Sequence, residues 1–377
     1  MGAIYKINRG EYGIWIESSR VERGQYMGRW IDGSYPVEYW AAHHAFAMRK
    51  LYFLLPGTTR SFNCGGLFAE LNTFKLAQQI CEAEVVTYRQ REENHPFIDD
   101  LLQQADLRRC IFIVSWGFDV PKQLKKLSRC HVVYHAHSAG YGFSVSPQVP
   151  ILAVSRNTMG YWGLRSQNSL IYWLPNQLPA EVTNRHINRD IDVLVQARKS
   201  SEYVTNQLIP ELKKRFNVVV VDSFVDDLMG LFNQTKVYLY DSAEYWVQYG
   251  LTEGFGLPPM EALACGCQVF SSVNHALADY LDPGENCHKI AGYATGYDVQ
   301  RIATVLENWQ PNSLPENFFA PYRSEQLVPR LENILTELNQ FFDYRQQYSS
   351  DISSLTRQRR IYLFYKRIQT KLKKLKQ

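Results

Sequence analysis

The chain has 377 residues, of which 45% are hydrophobic and 21% charged. This composition excludes long disorder and, at this length, leads one to expect two domains rather than one core. A net charge of +4 is too small to argue for nucleic acid. The seven cysteines form no CxxC pair, which points to reduced thiols and away from a disulfide framework or a paired-ligand zinc site.

The first residues, MGAIYKINRGEYG, lack the apolar core of a secretory signal, and no apolar run reaches the ~20 residues of a spanning helix. A cytoplasmic location is therefore expected. Residues 1–48 are rich in Gly, Tyr, Trp and Arg without a sustained period, and are read as an N-terminal extension.

The first strong strand is KLYFLL at 50–55, closed by Pro56 and Gly57. A loop with Gly65 and Gly66 leads into a helical pattern carrying Leu67, Leu71, Phe74, Leu76 and Ile80. Apolar runs follow at 110–115, 131–134, 150–155 and 169–174, with a basic helix near 122–127. Short buried strands alternating with helices predict a parallel sheet covered on both faces, here over residues 49–180. Residues 176–190 are polar and aperiodic and read as a linker.

The rhythm restarts with IDVLVQ at 191–196, a helix reaching Leu212, a strand at 218–221, a helix over 225–232 and a strand at 237–240. A second α/β unit is expected over 185–340, with residues 341–377 forming a basic tail. Two such units facing each other make a cleft, and ligands bind beyond the carboxyl ends of the strands.

The most informative stretch is YGLTEGFGLPPMEALACGCQVFSS at 249–272. Its glycines allow close backbone approach to a ligand, and its prolines suit the first turn of a helix beginning near Pro259. Glu261 is then expected in that first turn, with the loop amides before it facing an anion. A carboxylate there can accept two hydrogen bonds from ribose hydroxyls, and Glu253 is left to hold sugar hydroxyls. Asp226 and Asp227, the one metal-binding candidate pair, sit where a helix begins and are explained by favourable charge at its N-terminus.

The string EGFGLPPMEALACGCQV closely resembles the C-terminal signature of glycosyltransferase family 4. Gly65 and Gly66, the AVS at 153–155, Pro175 and Asn176, and the DPGEN at 282–286 are similar to that family too. The resemblance spans roughly residues 49–340 and implies the GT-B architecture, two Rossmann-like α/β domains facing across a cleft. It implies retaining transfer of a sugar from a UDP-, GDP- or ADP-linked donor to a glycan or lipid-linked acceptor in cell-envelope or exopolysaccharide synthesis, with no metal and no cofactor.

By the same resemblance Glu261 binds the donor ribose and Glu253 positions the donor sugar. Gly65, Gly66, Gly254, Phe255, Gly256 and Leu257 approach the donor, and Arg198 clamps the diphosphate. The family usually has a lysine five residues after that arginine, whereas this chain has Tyr203 there and Lys199 beside Arg198. Either Lys199 supplies the second charge, or the clamp is weakened and the chain is a catalytically degenerate scaffold that holds a nucleotide or glycan. His137 matches the histidine that touches the donor sugar. His135 is more simply a packed strand-end residue.

From Arg357 onward there are nine basic residues and no acidic one, so the rest of the chain is net negative. Ile361, Phe364, Tyr365, Ile368, Leu372 and Leu375 recur at three- and four-residue spacing among them. Such a helix either lies on an anionic membrane surface or packs back across the first domain.

Overall fold

The computed structural model describes residues 6–10, 13–17, 48–103, 107–115, 117–223 and 225–375. The chain divides into two compact units, residues 1–46 and 47–377. In the first, β1 (Lys6–Gly10) and β2 (Gly13–Glu17) pair antiparallel, with Gly10 opposite Gly13. This hairpin lies within the N-terminal extension. Its five-residue strands are too short to establish an alternation, although Ile14, Trp15 and Ile16 are good strand formers. The other residues up to 47 lie outside the described ones.

The larger unit begins with β3 (Lys50–Leu55), α1 (Gly65–Ala77), β4 (Ala83–Thr87), α2 (Ile98–Leu101), β5 (Cys110–Val114) and α3 (Val120–Lys126). Next come β6 (His131–Ala136), β7 (Ile151–Ala153), α4 (Arg156–Arg165) and β8 (Ile171–Trp173). The six strands run parallel in the order β4-β3-β5-β6-β7-β8. Both faces of β3, β5 and β6 are buried, which is why these strands read as unbroken apolar runs.

A second sheet is built from β9 (Ile191–Gln196), α5 (Ile209–Lys213), β10 (Val218–Val221), α6 (Leu228–Gln234), β11 (Thr235–Tyr240) and α7 (Ala243–Tyr249). It continues with α8 (Leu257–Ala264), β12 (Gln268–Ser271), β13 (His288–Lys289) and α9 (Thr295–Glu307). All pairings are parallel, in the order β10-β9-β11-β12-β13. In both sheets the second strand lies outside the first and the third lies inside it. The direction in which successive strands are added therefore reverses between β3 and β5 and again between β9 and β11, and the crevice at such a reversal is where doubly wound sheets bind ligands.

After α10 (Glu316–Phe319) the chain returns to the first sheet through α11 (Ser324–Gln347). Leu327, Leu331, Ile334, Leu335, Leu338 and Phe342 of α11 join the core formed by Leu51, Phe53, Ile111, Ile113 and Val133. The helix that crosses the first domain is thus α11. The basic helix α12 (Arg357–Leu375) is exposed at every described side chain, and among the described residues no helix is long and apolar enough to cross a membrane. Asp227 caps α6, its Oδ1 accepting from Gly230 N–H at 2.7 Å, the role expected from charge at a helix start.

Candidate active site

The two sheets meet where β6 ends and where the loop after α7 passes. A Cβ built on Gly254 would stand 1.5 Å from the His137 carbonyl oxygen. Around that point Ser138 Oγ donates to the Thr252 carbonyl at 2.6 Å, Ala139 N–H to Thr252 Oγ1 at 3.0 Å, and Thr252 N–H to the Ala139 carbonyl at 3.1 Å. On one flank, Asp279 accepts from the first amides of α4, those of Arg156 and Asn157. This seam holds His137 beside the loop that carries Glu253.

Glu253 is buried, 4% exposed. Its Oε2 accepts from the Tyr240 hydroxyl at 2.6 Å and from the Trp246 indole N–H at 2.8 Å. Lys199 Nζ stands 3.8 Å from Oε1 and 4.6 Å from the centre of the Trp246 ring. The carboxylate is thus held from beneath by two neutral donors, with a cation on its other oxygen. Tyr240 ends β11, Trp246 is on α7, and Lys199 follows β9, so three elements at the chain reversal converge on one side chain.

Glu261 differs in having no hydrogen-bond or ion-pair partner among the described residues. Burial pushes its carboxyl up to about 7. Gly256 caps the helix below it in a left-handed conformation, φ +80°, and a Cβ there would meet Leu277 at 2.3 Å. Only glycine satisfies both the φ and the space. Because this cap sits at 256, α8 starts at Leu257 rather than near Pro259. Glu261 is then the fifth helical residue and opens the second turn, a correction to its expected place in the first. Phe255 is buried in the core and packs edge-on to Tyr322 at 5.6 Å.

Arg198 is exposed in the turn after β9. The Tyr238 hydroxyl donates to Gln196 Oε1 at 3.0 Å, two residues before Arg198. Burial raises the Tyr238 phenol well above its usual value, with the charges of Glu261 and Glu253 adding to it, and Tyr280 behaves likewise. The Tyr245 phenol, raised by burial, is lowered by the charge of Arg198 and raised by that of Glu253. Arg198 and Glu253 thus both act on Tyr245, and Glu253 and Glu261 both act on Tyr238 and Tyr280.

Tyr203, which stands where a lysine was expected by resemblance, donates to the buried Asp298 at 2.7 Å. It supplies no charge to the cleft. Across the seam, Gly65 and Gly66 are exposed at the start of α1, and one and a half turns further the buried Glu70 receives both histidines. His135 Nδ1 lies 2.7 Å and His137 Nε2 2.5 Å from Glu70 Oε2. His135 is fully buried, whereas the His137 side chain keeps 16% of its surface. Burial would raise the Glu70 carboxyl, but its interactions with His135 and His137 hold it down at about 2.

Sequence reasoning missed Glu70, Tyr240 and Trp246. The signal for Glu70 was present: a lone acidic residue in line with Leu67 and Ala77 on the apolar side of α1. Tyr240 and Trp246 gave none, since a tyrosine closing a strand and a tryptophan on a short helix read as core.

Residues 196–318 match the family model described as "Glycosyl transferases group 1". An MMP alpha-(1->4)-mannosyltransferase of Mycolicibacterium hassiacum is 28% identical over 125 residues, which cover 33% of this chain and 28% of that protein. The chain thus matches about 28% of the length of this curated relative. Among solved structures, a glycosyltransferase from Rickettsia africae superposes with a TM-score of 0.56 at 10% identity, covering 78% of this chain and 99% of the other. The pneumococcal O-GlcNAc transferase in complex with UDP and GlcNAc gives 0.55 at 8% identity, with the same coverages of 78% and 99%. Sucrose-phosphate synthase from Thermosynechococcus elongatus gives 0.53 at 12%, again covering 78% and 99%. The structural likenesses, with the two parallel sheets, establish a two-domain α/β GT-B fold. The domain match and the mannosyltransferase relative support glycosyl transfer.

Proposed function

We propose that this chain is a retaining, metal-independent glycosyltransferase of family 4. It moves a sugar from a nucleotide-diphosphate donor to a glycan or lipid-linked acceptor, in cell-envelope or exopolysaccharide synthesis. The observation that carries the reading is the contrast between the two glutamates of one cleft. Glu253 is fixed by Tyr240 and Trp246, as a group that positions a sugar must be. Glu261 stands half-buried and without a side-chain partner among the described residues, as suits a carboxylate that takes its hydrogen bonds from a ligand.

The donor lies with its ribose on Glu261, its diphosphate toward the α8 N-terminus, Arg198 and Lys199, and its sugar between Glu253 and His137, near Gly65 and Gly66. The bond from the anomeric carbon to the diphosphate oxygen breaks, and the acceptor hydroxyl bonds to that carbon on the same face. Its proton passes to a departing diphosphate oxygen, so that the products are the glycoside and the nucleoside diphosphate. Negative charge develops on the leaving group, where Arg198 and Lys199 stabilise it with the helix amides. No metal is needed in this arrangement.

The exposed apolar stripe of α12, flanked by Arg and Lys, rests on the anionic cytoplasmic face of a membrane, where a lipid-linked acceptor is within reach. A second reading, a degenerate scaffold, is favoured by Lys199 already facing Glu253 and by Tyr203 being tied to Asp298.

The test is release of free nucleotide from UDP-, GDP- and ADP-sugars, with and without EDTA, followed by NMR of the product anomer. UDP-sugars come first, since the pneumococcal structure holds UDP and GlcNAc. Turnover unaffected by EDTA with retained configuration supports the proposal. Turnover lost in EDTA removes the metal-free claim, an inverted product removes retention, and no turnover with no thermal shift leaves the scaffold.

A further inference from the structure

A carboxylate sealed from solvent needs donors, and the donors Glu70 receives are two imidazoles. Its side chain is 1% exposed, Oε1 has no hydrogen-bond partner among the described residues, and both histidines converge on Oε2. An ionised carboxylate only accepts, so each ring must place its proton on the nitrogen that faces it. For His135 that nitrogen is Nδ1, and for His137 it is Nε2. The second nitrogen of His137, Nδ1, is then an acceptor on the ring that borders the Glu253 loop.

We propose that Glu70 is a positioning residue for glycosyl transfer, fixing the tautomer and orientation of His137 so that Nδ1 accepts a hydrogen bond from a hydroxyl of the donor sugar. This rests on the functional reading above for the sugar, and on geometry alone for the tautomer. Glu70 does not touch substrate. It acts through His137, as the carboxylate partner of an imidazole fixes which nitrogen is free. His135 fills the remaining space against the carboxylate, its ring centre 4.3 Å from that of His137.

The neighbouring groups agree. The Glu70 carboxyl, held at about 2, stays ionised at any working pH. Burial lowers the His137 pKa, although Glu70 pulls it up, so at neutral pH the ring keeps an acceptor lone pair. The 2.5 and 2.7 Å separations are those of hydrogen bonds to a charged acceptor. Two ligands on one tetrahedral cation would stand roughly 3 Å or more apart, given metal bonds near 2 Å.

The experiment is nitrogen-15 NMR of the imidazole rings in the full chain, together with kinetics of Glu70→Gln, His137→Ala and the double variant. The amide is isosteric, but its neutral carbonyl is a weaker acceptor than the carboxylate, and when flipped it turns its N–H toward both rings. In the native chain His137 is expected as the Nε2–H tautomer and His135 as Nδ1–H. In Glu70→Gln, His137 should mix tautomers and kcat should fall on the order of 10- to 100-fold with little change in donor KM. In the His137→Ala background the same substitution should cost nothing further.

A native chain that turns over donor with His137 as Nδ1–H overturns the role of Glu70 alone, and this spectrum decides even if Glu70→Gln fails to fold. Multiplying losses in the double variant, or stoichiometric zinc released by Glu70→Gln, overturn it too. The expected tautomers in a chain that turns over no donor would instead remove the functional reading, and with it the catalytic role.

Discussion

Gly254 presses on the carbonyl of His137 so closely that a methyl group added at 254 would stand 1.5 Å from that oxygen. One residue belongs to the donor half and the other to the end of β6, so this contact sets how near the two halves come. Neither backbone can yield without breaking the Ser138 and Ala139 bonds to Thr252. Gly254→Ala should therefore lower the free energy of unfolding by about 1–3 kcal/mol and reduce activity. Gly160→Ala, with open space around its Cβ on the exposed side of α4, should leave stability unchanged or raise it by about 0.5–1 kcal/mol. Urea denaturation of both variants measures the contrast, and equal stabilities would contradict it.

Arg198 and Lys199 are not equivalent. Arg198 has no partner among the described residues, while Lys199 faces Glu253 and lies over Trp246. Arg198→Ala should cut kcat/KM on the order of 10²- to 10³-fold, the usual effect of removing a group that stabilises developing charge. Lys199→Ala should cut it less and raise the donor KM, since it also loosens Glu253. Unchanged kinetics in Lys199→Ala would mean that no second charge comes from this position.

Glu261 gives the site a pH dependence. Burial raises its carboxyl from the usual 4.5 to about 7, and the ionised form is the one that accepts two ribose hydroxyls. Nucleotide-sugar affinity should therefore rise up to about tenfold between roughly pH 6 and 8. In the free protein the sign is opposite. The folded state keeps a proton that the unfolded chain loses near 4.5, so this stabilisation is full below that value and is lost as pH rises through about 7. Calorimetric titration of wild type and Glu261→Gln tests both, and an affinity that is flat with pH in the wild type would refute the assignment.

The apolar side chains of α12 include Ile361, Phe364 and Tyr365, exposed at 57%, 59% and 61%. The full chain should co-sediment with phosphatidylserine-containing vesicles, less at high salt, and not with neutral ones. A chain ending at Asp351 should lose this binding. If the truncated chain binds as well as the full one, the membrane role falls.

The sequence disclosed most where one face of one element was enough to interpret it. The buried strands at 50–55, 110–114 and 131–136 were legible because both faces are covered, and α8 because its glycine and prolines specify a helix start. It disclosed least where function depends on distant residues meeting. Glu70 is 65 residues from His135, and no local pattern indicates that a helix after the first strand faces the end of the fourth. Glu253 was legible as a carboxylate after a glycine-flanked loop, yet its fixed orientation depends on Tyr240 and Trp246, whose types are common in cores. The position of Glu261 in its helix was off by two residues because the left-handed Gly256, not the prolines, ends the loop.

The most direct measurement is calorimetric binding of UDP, GDP and ADP to wild type, Glu261→Ala and Glu253→Ala at one pH above 7. A ribose grip by Glu261 predicts that one nucleotide binds the wild type and that Glu261→Ala loses about 1–3 kcal/mol of this binding. Glu253→Ala should keep nearly all of it, since that side chain faces the sugar. Equal affinity in the two variants, or no nucleotide bound by the wild type, would contradict the account.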